Sequence, residues 1–216
     1  MPANEISARK LYSIFAASFG VLFAVYSWYL FGPGGDFWNA TDAEILHWAS
    51  QFRGDYLNAI FLDITALASI AVLSILLIVL IVVFSFQRAW VNVAHMIGVF
   101  IGTLYLQKWL KILFAKDRPE IVEKLAAVAT YSYPSGHAFA SAAVYLTLAM
   151  VGTRVFEFRH ERIVLFSLAF LLIALIGFSR VYLGVHFPSD IIGGYLAGCA
   201  WAFGLAALVE GRAGLS

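Results

Sequence analysis

Apolar runs of about twenty residues constrain this chain more than anything else in its sequence. A run of that length and character is what a helix needs to cross the hydrocarbon core of a bilayer. In lipid, every backbone N–H and C=O must be satisfied inside the segment itself. Residues 11–31, 57–86, 90–115, 136–156, 163–183 and 190–210 all qualify. Composition argues against a soluble alternative: 62% of residues are hydrophobic and 12% charged, whereas charged residues make up about a quarter of an ordinary soluble domain. The expected fold is all-α, a single polytopic domain over residues 1–216 built as an integral membrane bundle of six transmembrane helices.

Other classes are excluded in turn. The net charge of +1 leaves no global basic field for nucleic acid. One cysteine, Cys199, permits neither an intramolecular disulfide nor a CxxC metal or redox site. The sequence holds no HExxH, P-loop, EF-hand or GxGxxG element. The first run follows Arg9-Lys10, but it is longer than the h-region of a signal peptide and no small-x-small cleavage site follows it. It is expected to be a retained anchor.

Loop cations set the expected orientation. With the N-terminus inside, the cytoplasmic segments carry Arg9, Lys10, Arg88, Arg154, Arg159, Arg162 and Arg212. The outside segments carry Arg53, Lys116 and Lys124, with Lys108 near the end of the third span and the cations that belong to the motifs below. That bias places both termini in the cytoplasm. Ends of odd-numbered spans and starts of even-numbered ones then share the outer face.

Between the first two spans, Gly32-Pro33-Gly34-Gly35 breaks the helix. Ile45, Trp48, Ala49 and Phe52 then recur at helical spacing with polar residues between them. This pattern predicts a short interfacial helix within residues 36–56, serving as a packed connection or as a gate. Gly98-x-x-x-Gly102 and Gly194-x-x-x-Gly198 permit close helix approach and read as packing features.

Three polar clusters fall at span ends on the expected outer face. Lys111 and Arg118 lie seven residues apart, two helical turns, so both are expected on one face of the third span. Pro119 disfavours helix at Arg118 and is expected to end the span there. Two cations on one face repel unless an anion lies between them. Pro134-Ser135-Gly136-His137 opens the fourth span. Ser135 suits the N-cap, Gly136 lets a ligand approach the backbone, and the helix start favours a phosphate oxygen. Ser179-Arg180 closes the fifth span, with His186 and Asp190 beyond it. Their spacing of four can bring a carboxylate to an imidazole, fixing its tautomer and freeing the other ring nitrogen to attack.

Lys111-x6-Arg118-Pro119, Pro134-Ser135-Gly136-His137 and Ser179-Arg180-x5-His186-x3-Asp190 together resemble the three-part signature of the type 2 phosphatidic acid phosphatases. These are also called lipid phosphate phosphatases and share a catalytic core with the vanadium haloperoxidases. Every signature position is filled, in order, and the short outer loops resemble the compact bacterial members. The resemblance implies His186 as the nucleophile, forming a phosphohistidine, with Asp190 orienting it. It implies that His137 protonates the leaving oxygen. Lys111, Arg118, Arg180, Ser135 and Gly136 would bind the phosphate, with no metal and no cofactor. Among the acids, only Asp190 falls within a motif, so no carboxylate cluster is expected to hold magnesium.

The implied activity is hydrolysis of a lipid phosphate monoester or diphosphate at the outer face of a plasma (bacterial inner) membrane. Implied substrates are undecaprenyl diphosphate, phosphatidylglycerol phosphate, phosphatidic acid and lipid A phosphate. The bilayer and its lipids are the expected partners; neither nucleic acid nor an obligatory protein partner is. A phosphotransferase built on the same phosphohistidine is the alternative. A non-catalytic lipid-phosphate carrier would keep the three cations without needing His137, His186 and Asp190 together. Asp63, an acid within the second span, is expected to pair with a site cation or a neighbouring helix. Asp117, Glu120 and Glu123 are expected to face water, and His47 and His95 to be structural.

Overall fold

The computed structural model describes residues 7–154 and 158–213. The side chain of Arg212 and the last residues expected of the fourth span, 155–156, lie outside them. The described residues form helices and no strand: α1 (Ala8–Leu30), α2 (Gly35–Ser50), α3 (Asp55–Ala66), α4 (Ile70–Phe86), α5 (Trp90–Ile101), a π-helical turn (Gly102–Leu106), α6 (Gln107–Phe114), α7 (Gly136–Gly152), α8 (Arg159–Tyr182) and α9 (Pro188–Ala213).

Four helices among the described residues are long and apolar enough to cross a membrane: α1, the continuous run Trp90–Phe114, α8 and α9. A fifth results if α3 and α4, bent by 44° at their junction, form one span. The expected second span is therefore broken. Ser69 causes the break locally: its hydroxyl accepts the Val72 N–H at 3.3 Å and caps a new helix. α7 is apolar but has 17 residues, about 26 Å at 1.5 Å per residue. It is the buried axis of the bundle, packed against α5, α8 and α9. Outer faces carry Val21, Leu22, Val25, Ile75, Ile78, Leu168 and Leu171 exposed, as lipid contact requires.

Small residues let the backbones meet. A Cβ at Gly194 would lie 2.7 Å from the Ser135 carbonyl, and one at Gly198 would lie 2.5 Å from that of Phe139. Both glycines thus seat α9 on α7. Gly98 faces Leu205, and Gly102 accommodates the Trp201 indole at the π-helical turn. A mid-helix π turn of this kind is frequent near functional sites.

The third run ends earlier than Pro119 predicts. Ala115 adopts a left-handed conformation at φ 45°, and its N–H closes on the Lys111 carbonyl at 2.9 Å. Arg118 is therefore not on the helix face of Lys111. It reaches the same place from the irregular segment 115–135.

The segment between the first two runs does hold a helix, α2. It packs against α1, α8 and α9, with Leu46 and Ala49 buried against Ala138, Val181 and Ile191. Arg53, just beyond it, donates to the carbonyls of Tyr182 and Glu123 at 2.9–3.1 Å. This pins the end of α8 to the 115–135 segment. Asp63 is exposed and, among the described residues, pairs with no site cation; the neighbouring Thr65 meets one instead.

Candidate active site

The three sequence clusters converge on one cavity of about 270 Å³, whose polar lining includes Lys111, Arg118, Gly136, His137, Arg180 and His186. Each reaches it by a different device. Lys111 is 5% exposed in the last turn of α6, and its ammonium donates to the carbonyls of Tyr131 and Ser132. Arg180 lies buried in the last turn of α8, with Nη1 donating to Thr65 Oγ1 at 2.9 Å. Its Nε is buried without a protein partner, a donor left available to an anion.

Ser135 caps α7 as its position predicts, accepting the Ala138 N–H at 3.4 Å. It is fully buried, its hydroxyl is turned to its own helix, and Gly136 rather than Ser135 lines the cavity. The Ser135 N–H donates to the Asp190 carbonyl at 3.0 Å, tying the start of α7 to that of α9.

The turn from α8 to α9 carries the imidazole. Gly184 takes φ +74°, and a Cβ there would also strike the Glu123 carbonyl at 2.5 Å. Pro188 then opens α9, leaving His186 in the turn and Asp190 in the first helical turn. The Arg118 Nη1 lies 3.2 Å from His186 Nε2 and also donates to the Val185 carbonyl at 2.6 Å. A guanidinium offers only donors, so Nε2 is the acceptor of this contact and turns its lone pair to Arg118 at the cavity lining. The ring proton therefore belongs on Nδ1, which faces Ser132 Oγ at 3.2 Å and Asp190 Oδ2 at 3.4 Å. Burial pushes the His186 imidazole well below its ordinary pKa, while the Asp190 carboxylate pulls the other way.

Asp190 is fully buried and fully engaged. Oδ2 accepts from the Ser132 hydroxyl and from the Phe187 N–H at 2.9 Å. Oδ1 accepts from Lys116 Nζ at 2.9 Å. Lys116 also donates to Ser189 Oγ at 2.8 Å and stands 3.5 Å from the buried carboxylate of Asp42 on α2. Asp42 in turn accepts the Ser189 N–H at 2.9 Å and its hydroxyl. Burial raises the Asp42 carboxyl above the usual range, against the opposing pull of Ser189 and Lys116.

Sequence reasoning missed four of these groups: Ser132, Lys116, Asp42 and Thr65. Ser132 and Lys116 lie beside or within motif intervals, which is the only local signal they give. Asp42 and Thr65 give none, because their partners are more than a hundred residues away.

Residues 92–213 match the family model for the PAP2 superfamily. A phosphatidylglycerophosphatase B from Bacillus subtilis is 33% identical over 162 residues, covering 74% of this chain and 78% of that protein. A crystal structure of a transmembrane PAP2-type phosphatidylglycerolphosphate phosphatase from Bacillus subtilis superposes with a TM-score of 0.81. It has 27% identity and covers 93% of this chain and 96% of that one. The crystal structure of Aquifex aeolicus LpxE gives a TM-score of 0.58 at 31% identity, covering 76% and 93%. The matched segment contains every cavity residue from Lys111 to His186, together with Asp190, and the chain belongs to the PAP2 superfamily.

Proposed function

We infer that this chain is a lipid phosphate phosphatase that works through a phosphohistidine on His186, without a metal, at the outer face of a bacterial inner membrane. The observation that carries this reading is the pair of contacts on the His186 ring, with Nδ1 toward Asp190 and Nε2 toward Arg118 inside the cavity.

The chemistry follows from those positions. The Nε2 lone pair attacks phosphorus while the bond to the lipid oxygen breaks. His137, as imidazolium, gives its proton to that oxygen. Neutral His137 then takes a proton from water, whose oxygen attacks the phosphohistidine and releases phosphate and free His186. Asp190 stabilises the charge that His186 gains on phosphorylation. Lys111, Arg118, Arg180 and the first turn of α7 neutralise the equatorial oxygens, the task that a metal performs in many phosphoryl transfers. Ser135 serves by capping the helix that presents Gly136. The charged groups lining the cavity are cationic, a donor set that repels magnesium rather than holding it.

The topology proposed with this function counts the bent α3–α4 pair as one span and the short α7 as another, giving six with both termini inside. The chain is then a single polytopic unit, with α2 lying at the outer interface. Substrates named for relatives include phosphatidylglycerophosphate, undecaprenyl diphosphate and the 1-phosphate of lipid A; phosphatidic acid has the same terminal phosphate. Phosphate release by the purified protein in EDTA, with His186→Ala beside it, tests the reading. Release that survives EDTA and vanishes in the variant supports it. Release that needs added magnesium, or that persists without His186, defeats it.

A further inference from the structure

Beside the catalytic cavity lies a larger one of about 500 Å³, and the two share Lys108, Lys111, Arg118, Ala129 and Thr130. The shared cations differ in their state. Lys111 and Arg118 are held by the carbonyls of residues 130–132 and by Val185. Lys108 is exposed and, among the described residues, makes no hydrogen bond or ion pair. It stands three residues before Lys111 on α6, so both ammonium groups leave one face of that helix. Relative to Lys111 it is set back about 4.5 Å along the helix axis, toward the bilayer interior in the proposed topology.

That is the side from which a lipid must enter. The phosphate attacked by His186 lies farthest from the lipid tail, so any second phosphate in the substrate lies between it and the bilayer. Asp117 lines only the larger cavity and not the catalytic one. The side chains common to both cavities are thus cationic or uncharged.

We propose that Lys108, at the junction of the two cavities, forms a second anion subsite that selects lipids carrying two phosphates. This rests on the phosphatase reading above and names its substrate class. Two lipid headgroups supply the chemistry: the inner phosphate of a prenyl diphosphate and the phosphodiester of phosphatidylglycerophosphate. In the diphosphate case the inner phosphate is also the leaving group. It takes the electron pair of the broken P–O bond, and Lys108 neutralises that growing charge.

The test measures kcat/KM of wild type, Lys108→Gln and Lys108→Arg on farnesyl diphosphate, phosphatidylglycerophosphate and phosphatidic acid in one detergent. The ratio of each two-phosphate substrate to phosphatidic acid is expected to fall about tenfold in Lys108→Gln, ~1.4 kcal/mol, and to recover in Lys108→Arg. A fall confined to one of the two names the source of the second phosphate. Equal losses on all three lipids, the result of a cation that acts only through its general field or by snorkelling, overturn the proposal, as do no losses at all.

Calorimetric binding of methylenediphosphonate against orthophosphate gives a reading independent of turnover. Wild type should favour the diphosphonate and Lys108→Gln should not; an unchanged preference overturns the subsite. If wild type hydrolyses none of the lipids, the phosphatase reading has failed, and the binding comparison still decides whether the subsite exists.

Discussion

Lys116 Nζ lies 2.9 Å from Asp190 Oδ1, the carboxylate oxygen turned away from His186. The same ammonium is 3.5 Å from Asp42 and 4.6 Å from the centre of the Phe187 ring. One cation thus stands between two carboxylates that are almost fully buried, while it is itself 16% exposed. Removing one member of a buried ionic group costs about 3–5 kcal/mol, because the remaining charge loses its compensation. Lys116→Gln should therefore lower the thermal midpoint sharply and reduce kcat. Asp42→Asn in the same protein should restore part of the stability by removing one of the two stranded charges. A double-mutant cycle read by thermal unfolding measures that coupling. Strictly additive effects would separate Lys116 from Asp42 and leave no joint role for Lys116, Asp42 and Asp190.

Ser132 and Asp190 make a second pair whose roles separate cleanly. Asp190→Asn removes the negative charge proposed to balance a phosphorylated His186, and the new amide can present a donor to Nδ1–H. By analogy with carboxylate-to-amide changes behind other catalytic histidines, kcat should fall by about 10³–10⁴-fold. Ser132→Ala removes a single hydroxyl that orients Oδ2, so a loss of about tenfold is expected. Single-turnover trapping of the phosphohistidine checks both. Equal defects in the two variants would contradict the assignment of charge to one and orientation to the other.

How much of this is legible in the sequence depends on distance along the chain. Lys111, His137, Arg180 and His186 are readable because each sits where a long apolar run meets polar residues, and a count of spans puts those junctions on one side. The helix start at Ser135 is readable from local capping chemistry alone. Lys116 is not, since a loop lysine gives the same signal whether it is solvated or locked to Asp190, 74 residues away. Nor is the break before Ser69: the run is apolar throughout, and periodicity does not register a cap that bends a helix within lipid. The early end of α6 is hidden for a related reason. Pro119 marks where helix is forbidden, and nothing in the residue types announces that Ala115 turns left-handed first.

The acidity of His186 gives a prediction in pH. A histidine with a lowered pKa stays neutral at pH values where an ordinary one, near 6.5, takes up a proton. As the proposed nucleophile, His186 is then available over a wider acid range, and the limb of kcat/KM that reports its protonation moves to lower pH. The substrate's own phosphate ionises near pH ~6, so profiles should be taken with lipids of different phosphate pKa. A limb that follows the substrate belongs to the substrate. An enzyme limb common to all lipids and sitting at about 6.5 or above would assign His186 an ordinary environment and contradict its burial.

Arg180 touches the site with a fork, not a point. Nη1 is held by Thr65 and Nε is left without a partner, so the guanidinium is fixed at one corner and open at another. Lysine keeps the charge but not the planar set of donors. Arg180→Lys should therefore raise KM and lower kcat together, with kcat/KM falling by about 10²-fold. Thr65→Val should produce a milder fall in kcat by freeing the fork. If Arg180→Lys retains wild-type kinetics, charge alone suffices there and the geometric role is lost.

The seat of α9 on α7 can be tested without touching the chemistry. A methyl group at Gly198 would meet the Phe139 carbonyl at 2.5 Å, and neither backbone can yield without separating two helices that carry the site. Gly198→Ala should destabilise the protein by about 1–3 kcal/mol, the usual cost of overpacking. Gly20, in α1, has nothing within 4 Å of the place where a Cβ would sit. There the helical preference of alanine acts alone, and Gly20→Ala should stabilise by up to ~1 kcal/mol. Thermal unfolding in detergent, followed by tryptophan fluorescence, compares the two. Opposite signs follow from the packing. The same sign in both variants would mean that α7 and α9 are not in the close contact that ties Asp190 to Ser135 at the start of α7.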